Sequence, residues 1–136
     1  MADQFPLALT RMVALWNGEG VDPRLIFVRG CTMNDGESTY DPEDVLPWVQ
    51  KLRTAFPDIR FEVAAWFAAD TRYIVRFLAA GTHTGPFDTE IGTARPTGKR
   101  FTVHGIEVFD IREDLIVGVW EAWDWRNLYI ALGARF

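Results

Sequence analysis

The sequence predicts an α+β domain in which helices pack against a largely antiparallel sheet. Apolar residues at helical spacing lie in the first part of the chain and at its end, whereas long runs rich in Val, Ile, Phe and Trp fill residues 59–124. Two polar breaks of three residues interrupt these runs at lengths typical of hairpin turns. Helices followed by consecutive hairpins are typical of the α+β class.

The composition predicts one globular domain over residues 1–136. Hydrophobic residues make up 49% and charged residues 24% of the chain, and the net charge of -5 disfavours nucleic acid and anionic membranes as partners. The longest apolar run, residues 63–69, is too short to span a bilayer, and the N-terminus lacks a signal-peptide pattern. The single cysteine, Cys31, excludes an internal disulfide, which is typical of a reducing compartment. We expect a soluble cytoplasmic protein.

The first forty residues predict one helix and one short strand. Residues 5–17 place apolar side chains at helical spacing, and Gly18 follows as a stop signal. Residues 24–29 predict a short strand, and residues 30–40 predict a loop or a broken strand. This part of the chain therefore supplies one helix to cover the sheet.

A second helix is predicted over residues 41–56. Either Asp41 or Asp44 can act as its N-cap, because a carboxylate accepts the unpaired N–H groups of a first turn. Pro47 would suit the first turn only if the helix began near Val45.

The rest of the chain predicts the sheet. Four strands are expected, at residues 59–68, 72–84, 99–111 and 115–124. Residues 85–98 are rich in Gly, Pro and Thr and predict a loop, and the chain ends in one or two helical turns stopped by Gly133. The strands carry apolar residues on both faces, for example Ile74, Val75 and Phe77. We therefore expect a homodimer in which a partner subunit covers the face that the helices leave open.

Several segments resemble one family in the expected order. PTGKRFTVHGIEVFDIREDLIVGVWEAWD (residues 96–124) followed by LYIALG resembles the SnoaL-like polyketide cyclases, which belong to the nuclear transport factor 2-like superfamily. AFPDIRFEV and GTHTGPF resemble other recurring segments of that family. The resemblance covers roughly residues 45–133 and is weaker before them.

The resemblance implies a cone-shaped α+β barrel in which a curved antiparallel sheet wraps round helices and leaves an apolar pocket at its open end. In the cyclases a carboxylate in that pocket moves protons during an intramolecular aldol closure, without a metal or an organic cofactor. A small apolar or aromatic carbonyl compound is the implied ligand. Because one fold hosts many chemistries, a binding module without catalysis and a hydrolase similar to limonene epoxide hydrolase remain alternatives.

The faces of the last two strands follow from the turn between them. If Glu113 and Asp114 form a two-residue turn, then Arg112 opposes Leu115, and opposed residues share a face. Uninterrupted alternation then puts one set of residues on a common, mostly apolar face, including Glu107, Phe109, Trp120 and Asp124. A slip of one residue would reverse this assignment.

Two carboxylates are the main catalytic candidates. By position, Asp124 matches the acid–base aspartate that the resemblance implies at this strand end, but it can equally be the N-cap of the last helix. Glu107 matches the position of an oxyanion-side acid, and burial on an apolar face would raise its pKa toward the range useful for proton transfer. The alternative for Glu107 is an exposed or paired carboxylate on a strand.

His83, in GTHTG, is the third catalytic candidate. As a neutral imidazole it could orient or protonate a substrate oxygen, or it could be bonded to backbone near a turn. His104 falls on the face opposite Asp124. Two histidines and Cys31 without paired spacing do not form a zinc ligand set, so no metal is expected.

Aromatic and sulfur-containing side chains are predicted to line the pocket. The candidates for substrate binding are Trp120, Trp16, Met12, Phe109 and Trp123. Trp120 is the first choice because the predicted register sets it opposite Glu107. An aromatic wall of this kind suits a flat substrate.

Two other chemistries are less well supported. The ketosteroid isomerase reaction is disfavoured, because Cys31 or Thr32 lies near the position of its base. A hydrolase needs a second aspartate and an arginine around a water, and the predicted register turns Asp110 and Arg112 away from Asp124.

Overall fold

The computed structural model describes residues 4–133, and helices pack on one side of a six-stranded sheet. The α-helices in this range are α1 (Leu7–Trp16), α2 (Pro42–Ala55) and α3 (Trp125–Leu132), and a 3-10 turn covers Pro23–Leu25. The strands are β1 (Phe27–Met33), β2 (Ser38–Tyr40), β3 (Arg60–Ala69), β4 (Arg72–Thr82), β5 (Phe87–Thr89), β6 (Gly92–Ala94), β7 (Arg100–Arg112) and β8 (Leu115–Trp123).

The main sheet has the strand order β2-β1-β8-β7-β4-β3. The pairs β3–β4, β4–β7 and β7–β8 are antiparallel, as the consecutive hairpins predict. β1 adds a parallel pairing with β8, which makes the sheet mixed. The predicted α+β class with helices against one sheet is confirmed. The predicted loop over residues 85–98 contains a small hairpin, β5–β6, that forms a separate two-stranded sheet.

Side-chain hydrogen bonds fix the end of α1 to a strand and define the start of α2. Asn17, directly after α1, donates from Nδ2 to the Phe61 carbonyl at 3.1 Å and accepts from the Phe61 N–H at 2.8 Å. Because β3 is an edge strand, this amide takes the place of a strand partner. Asp41 is the N-cap of α2, and its own N–H donates to Asp44 Oδ2 at 2.8 Å. The helix begins at Pro42, so Pro47 lies inside it rather than in a first turn near Val45.

Alternation along β4 and β7 separates a buried face from an outer face. On β4 the buried residues are Val75, Phe77 and Ala79, and on β7 they run from Phe101 to Phe109 at every second position. These residues pack against apolar side chains of α1 and α2, including Leu9, Met12, Val49 and Leu52. The core therefore lies between the helices and one face of the sheet.

A β-bulge changes the predicted register of the last hairpin. Arg112 opposes Leu115 as predicted, but Asp110 pairs with Gly118 while Ile111 pairs with Ile116, so Val117 is an extra residue on β8. Beyond this point every residue of β8 faces the side opposite to the predicted one. The predicted register is therefore wrong for residues 118–123.

The outer face of the sheet carries an apolar row. Phe67, Ile74, Val108 and Trp120 are consecutive cross-strand partners on β3, β4, β7 and β8. Phe67 is 67% exposed and Trp120 is 42% exposed. Apolar residues do occupy both faces of the sheet, and the helices cover only one of them.

Candidate active site

A cavity of about 250 Å³ lies between α1, α2 and the buried face of β7 and β8. Its wall is mostly apolar and aromatic, with three carboxylic acids and one phenol among the lining residues. The lining residues are Met12, Trp16, Phe27, Met33, Tyr40, Asp44, Val45, Trp48, Glu107, Phe109, Val119, Glu121 and Trp125. A few polar groups in an apolar concavity are typical of a small-molecule site.

Two glutamates face each other across the strands at this cavity. The bulge pairs Glu107 of β7 directly with Glu121 of β8, so both side chains point to the same face. Directly opposed residues of an antiparallel pair have Cβ atoms about 5 Å apart. The carboxyl groups are therefore close enough for each to affect the ionisation of the other.

Glu107 is the most deeply buried acid of this site. It is 3% exposed, and burial, followed by the negative charge of Glu121, raises the pKa of its carboxyl to about 8. The indole N–H of Trp123 donates to Glu107 Oε2 at 3.0 Å and lowers the pKa in part. At neutral pH Glu107 is therefore mostly a neutral carboxylic acid that can donate a hydrogen bond or a proton.

The position of Trp123 depends on its neighbours. Its ring stacks on Phe77, with centroids 5.9 Å apart, and on Trp125, with centroids 5.3 Å apart. Its ring also lies directly over its strand partner Gly105, where the Cβ of any larger residue would overlap the indole. The glycine therefore lets the ring lie flat against β7, from where the N–H reaches Glu107.

Glu121 lies in the same cavity wall but is more exposed. Although the residue as a whole is exposed, its carboxyl faces the cavity, and partial burial raises its pKa. Asn34 fixes the backbone there, because its Oδ1 accepts from the Glu121 N–H at 3.1 Å and its own N–H donates to the Val119 carbonyl at 2.7 Å. The two acids thus have different environments, because Glu107 is almost fully buried and Glu121 is not.

Tyr40 adds a neutral hydroxyl to the cavity. It pairs with Cys31 across β1 and β2, and its ring packs edge-on against Phe27 at 5.2 Å. Burial, together with the neighbouring Cys31 and the two glutamates, raises the pKa of Tyr40 far above its usual value. Burial likewise raises the pKa of the Cys31 thiol to about 11, so the cysteine is not a thiolate near neutral pH.

The structure brings some of the predicted site residues to the cavity. Met12, Trp16, Phe109 and Glu107 line it. Trp123 lies next to Glu107 and bonds to it. The predicted register would put Trp123 on the outer face, whereas the bulge turns its side chain inward.

Trp120 does not lie in the cavity. It pairs with Val108 on the outer face, because the bulge reverses the predicted direction of its side chain. The prediction that it opposes Glu107 is wrong. Asp110 and Arg112 form an ion pair at 3.5 Å, and Asp110 pairs with Gly118 on that outer face, so they do not form a water-activating set in the cavity.

Asp124 occupies the N-cap position of α3. Its Oδ1 accepts from the Asn127 N–H at 3.3 Å and its Oδ2 accepts from Asn127 Nδ2 at 2.6 Å. Its own N–H donates to the His104 carbonyl at 3.1 Å, and it does not line the cavity. The structure therefore shows the capping alternative, and it does not place Asp124 on a common face with Glu107.

His83 lies far from the two glutamates. It is completely buried against Phe56, and its Nδ1 lies 3.1 Å from Thr97 Oγ1. Burial lowers the pKa of the imidazole. Val75 pairs with Glu107, and His83 is eight residues further along the chain, roughly 25 Å in an extended strand. The two side chains cannot act on the same atom.

Sequence reasoning missed Glu121 and Tyr40. Uninterrupted alternation, which turns Trp120 inward, would put Glu121 on the outer face, and Tyr40 lies in a segment without clear periodicity, residues 30–40. One signal was available for the bulge: Ile116 and Val119 are both apolar at a spacing of three, which a regular strand with one buried face does not favour.

The described part of the chain contains no group of three or more His, Cys, Asp or Glu side chains arranged to hold a metal ion. None of the helices within residues 4–133 is long and apolar enough to cross a membrane.

Three solved structures have the same fold as this chain. AclR of Streptomyces galilaeus, a proposed hydroxylase, is 24% identical, with a TM-score of 0.76 over 93% of this chain and 82% of its own. IdmH of Streptomyces antibioticus, a proposed polyketide cyclase, is 19% identical, with a TM-score of 0.74 over 93% and 96%. A protein of ketosteroid isomerase-like fold from Catenulispora acidiphila, solved with trimethylamine, is 14% identical, with a TM-score of 0.72 over 97% and 96%. At these identities the likeness concerns the fold.

Comparison of the sequence with protein families assigns the chain to one of them. No curated protein matches it. The sequence profile of the SnoaL-like polyketide cyclases matches residues 7–132, which include every helix and strand described above. The chain therefore belongs to the SnoaL-like polyketide cyclase family.

Proposed function

We propose that this protein is an acid–base enzyme that removes a proton next to a carbonyl group in a small, polyketide-like molecule. The reaction is an aldol-type cyclisation or an isomerisation and needs no cofactor. The observation that carries the proposal is the pairing of Glu107 with Glu121 in an apolar cavity. Two acids whose environments separate their pKa values can act as acid and base at the same pH.

In the proposed reaction the two glutamates have opposite roles. The Glu121 carboxylate takes a proton from the carbon next to the carbonyl, and Glu107 gives its proton to the carbonyl oxygen, which produces an enol. The enol carbon then attacks a second carbonyl of the same molecule. That oxygen receives the proton from Glu121, and Glu107 takes back the enol proton. A carbon–carbon bond forms, and both acids return to their first state.

The cavity wall supports this assignment. Trp16, Trp48, Phe109 and Trp125 offer flat apolar surfaces to a substrate, and Tyr40 offers a hydroxyl donor close to the acids. A water-poor wall also strengthens the hydrogen bond from Glu107 to a developing oxyanion. Proposed polyketide cyclases with the same fold, such as IdmH, agree with a carbonyl substrate.

The direct test is hydrogen–deuterium exchange at the α-carbon of 2-tetralone, a flat ketone, followed by NMR in D₂O. We expect exchange catalysed by the wild type and slowed by about 100-fold in Glu121→Gln and Glu107→Gln. Glu62→Gln is the matched control, because Glu62 is an exposed strand carboxylate paired with Leu78 away from the cavity. Wild-type rates in both cavity variants would overturn the proposal.

The same assay distinguishes a catalytic role of Asp124 from a role as the N-cap of α3. If the aspartate predicted from the sequence carries the reaction, Asp124→Asn abolishes exchange while both glutamine variants stay active. The capping geometry leads us to expect the reverse, with exchange retained and only a loss of stability on the order of 1 kcal/mol. Binding of the ketone without exchange in the wild type would instead favour a binding module of the same fold.

We also propose that the protein is a homodimer through the outer face of the sheet. The row formed by Phe67, Ile74, Val108 and Trp120 is an apolar surface that helices do not cover. Sedimentation analysis should show a dimer for the wild type and a monomer for Ile74→Glu. Leu25→Glu, at an exposed leucine outside the row, should remain dimeric. A monomeric wild type would contradict this assembly.

A further inference from the structure

A second cavity of about 440 Å³ adjoins the first. Trp48 of α2 and Trp125 of α3 line both cavities. The second cavity lies between these helices and the small β5–β6 hairpin, and we call it the hairpin groove. Since these two tryptophans line both cavities, the two spaces lie next to each other at a common border.

The size of the first cavity sets a limit on what it can hold alone. Its volume of about 250 Å³ lies below the range of roughly 300–1,000 Å³ that is usual for ligand pockets. A compact bicyclic ketone is an appropriate occupant, whereas a longer molecule must extend beyond the cavity. The shared tryptophans direct that extension into the hairpin groove.

The surface of the groove suits an apolar extension. Leu52, Phe87, Ile91 and Tyr129 line it together with the two tryptophans. Ile91 is 74% exposed although it belongs to the short hairpin, so a large apolar side chain faces the groove and solvent. Burial of such a side chain under a ligand is favourable in proportion to the apolar area removed from water.

The charges around the groove disfavour a negatively charged extension. Lys51 is opposed by Asp88 and Glu90, so the rim has no strong excess of either sign. The Asp88 carboxylate already accepts from Thr93 Oγ1 at 2.7 Å. Because the rim has two carboxylates and one ammonium group, it disfavours a phosphate or a carboxylate.

We infer that the substrate has two parts: a compact carbonyl head in the cavity of the glutamates, and an uncharged aromatic or apolar tail in the hairpin groove. The tail crosses Trp48 and Trp125 and reaches Ile91. This inference rests on the proposed function for the identity of the head. The shared border, the volumes of the two cavities and the residues that line the groove support the tail independently of that function.

The test compares two ketones in equilibrium binding by calorimetry. 2-Tetralone represents the head, and 6-phenyl-2-tetralone adds one ring on the side away from the carbonyl. We expect the longer ketone to bind wild-type protein about tenfold more tightly, because the added ring removes apolar area from water. Ile91→Ser should weaken binding of the longer ketone by roughly fivefold and leave 2-tetralone unchanged. Ile130→Ser is the matched control, because Ile130 is similarly exposed, at 65%, on α3 but lines neither cavity.

The outcomes separate this inference from the proposed function. Equal affinity for the two ketones, or an Ile91→Ser variant that loses no affinity for the longer one, would overturn the two-part substrate. If both ketones bind as expected but their α-protons do not exchange, the proposed chemistry is wrong, whereas the assignment of the hairpin groove to the tail still holds. Thermal denaturation of each variant confirms that its fold is retained.

Discussion

The hydrogen bond from Trp123 to Glu107 should control the upper pH limit of activity. In Trp123→Phe an aromatic ring remains between Phe77 and Trp125, but the N–H that donates to Glu107 Oε2 at 3.0 Å is lost. A hydrogen bond to a charged group contributes about 1.5–3 kcal/mol, and one pKa unit corresponds to about 1.36 kcal/mol. The pKa of Glu107, about 8 in the wild type, should therefore rise by about one to two units.

The direction of the change in the Glu107 pKa follows from the protonation state that the hydrogen bond from Trp123 stabilises. The indole N–H favours the carboxylate, so its loss favours the neutral acid. Because Glu107 is proposed to act as the proton donor, exchange of 2-tetralone should decline above about pH 8 in the wild type. The decline should begin one to two pH units higher in the variant, which would then be faster than the wild type at alkaline pH.

Two measurements check this reasoning. The carboxyl carbon of Glu107, labelled with ¹³C and assigned with Glu107→Gln, gives the pKa directly by NMR, and the exchange assay gives the pH profile. Trp120→Phe is the control, because that tryptophan lies on the outer face and touches neither acid. An unchanged or lowered pKa in Trp123→Phe would refute the account of Glu107, and an unmoved alkaline limb would refute its role as the acid.

Three further predictions test the surroundings of the site. Because the folded protein holds the Glu107 proton up to about pH 8 and the unfolded chain releases it near 4.5, stability should fall by about 1.4 kcal/mol per pH unit between these values, and Glu107→Gln should remove that slope in urea unfolding. Gly105→Ala should cost about 1–3 kcal/mol because its Cβ would overlap Trp123, whereas Gly20→Ala, with open space around it, should be nearly neutral in the same assay. Cys31, buried and with a pKa of about 11, should not react with iodoacetamide at pH 8 in native protein, and rapid labelling would contradict its burial.

The local spacing of apolar residues was sufficient to predict most of the helices and strands. The predicted strand over residues 72–84 corresponds to β4, Arg72–Thr82, because every second residue there is buried in the core. The predicted helix over residues 41–56 corresponds to α2, Pro42–Ala55, with Asp41 as its cap. In each case one face is buried, so the period of the apolar residues and the secondary structure agree.

Pairings between distant segments could not be predicted in this way. β1 lies beside β8 in parallel, and Asn34 at its end bonds to the backbone of Glu121. Tyr40 reaches the cavity because β2 continues that edge of the sheet. None of these contacts follows from periodicity, since each depends on segments almost ninety residues apart or on a short strand without a repeating pattern.

The bulge at Val117 determines which side chains of residues 119–125, VWEAWDW, face the cavity. With regular alternation, Trp120 and Asp124 would face the helices, and Trp123 would point to the outer face, away from Glu107. With the extra residue, Val119 and Trp123 enter the core, and the Trp123 N–H reaches the Glu107 carboxyl.

Burial of a polar group is costly unless it gains a hydrogen bond, so the bulged register satisfies both Glu107 and the indole at once. The same shift turns Glu121 toward the cavity and leaves Asp124 to cap α3. The acid pair and the loss of the predicted aspartate from the cavity therefore have one structural cause.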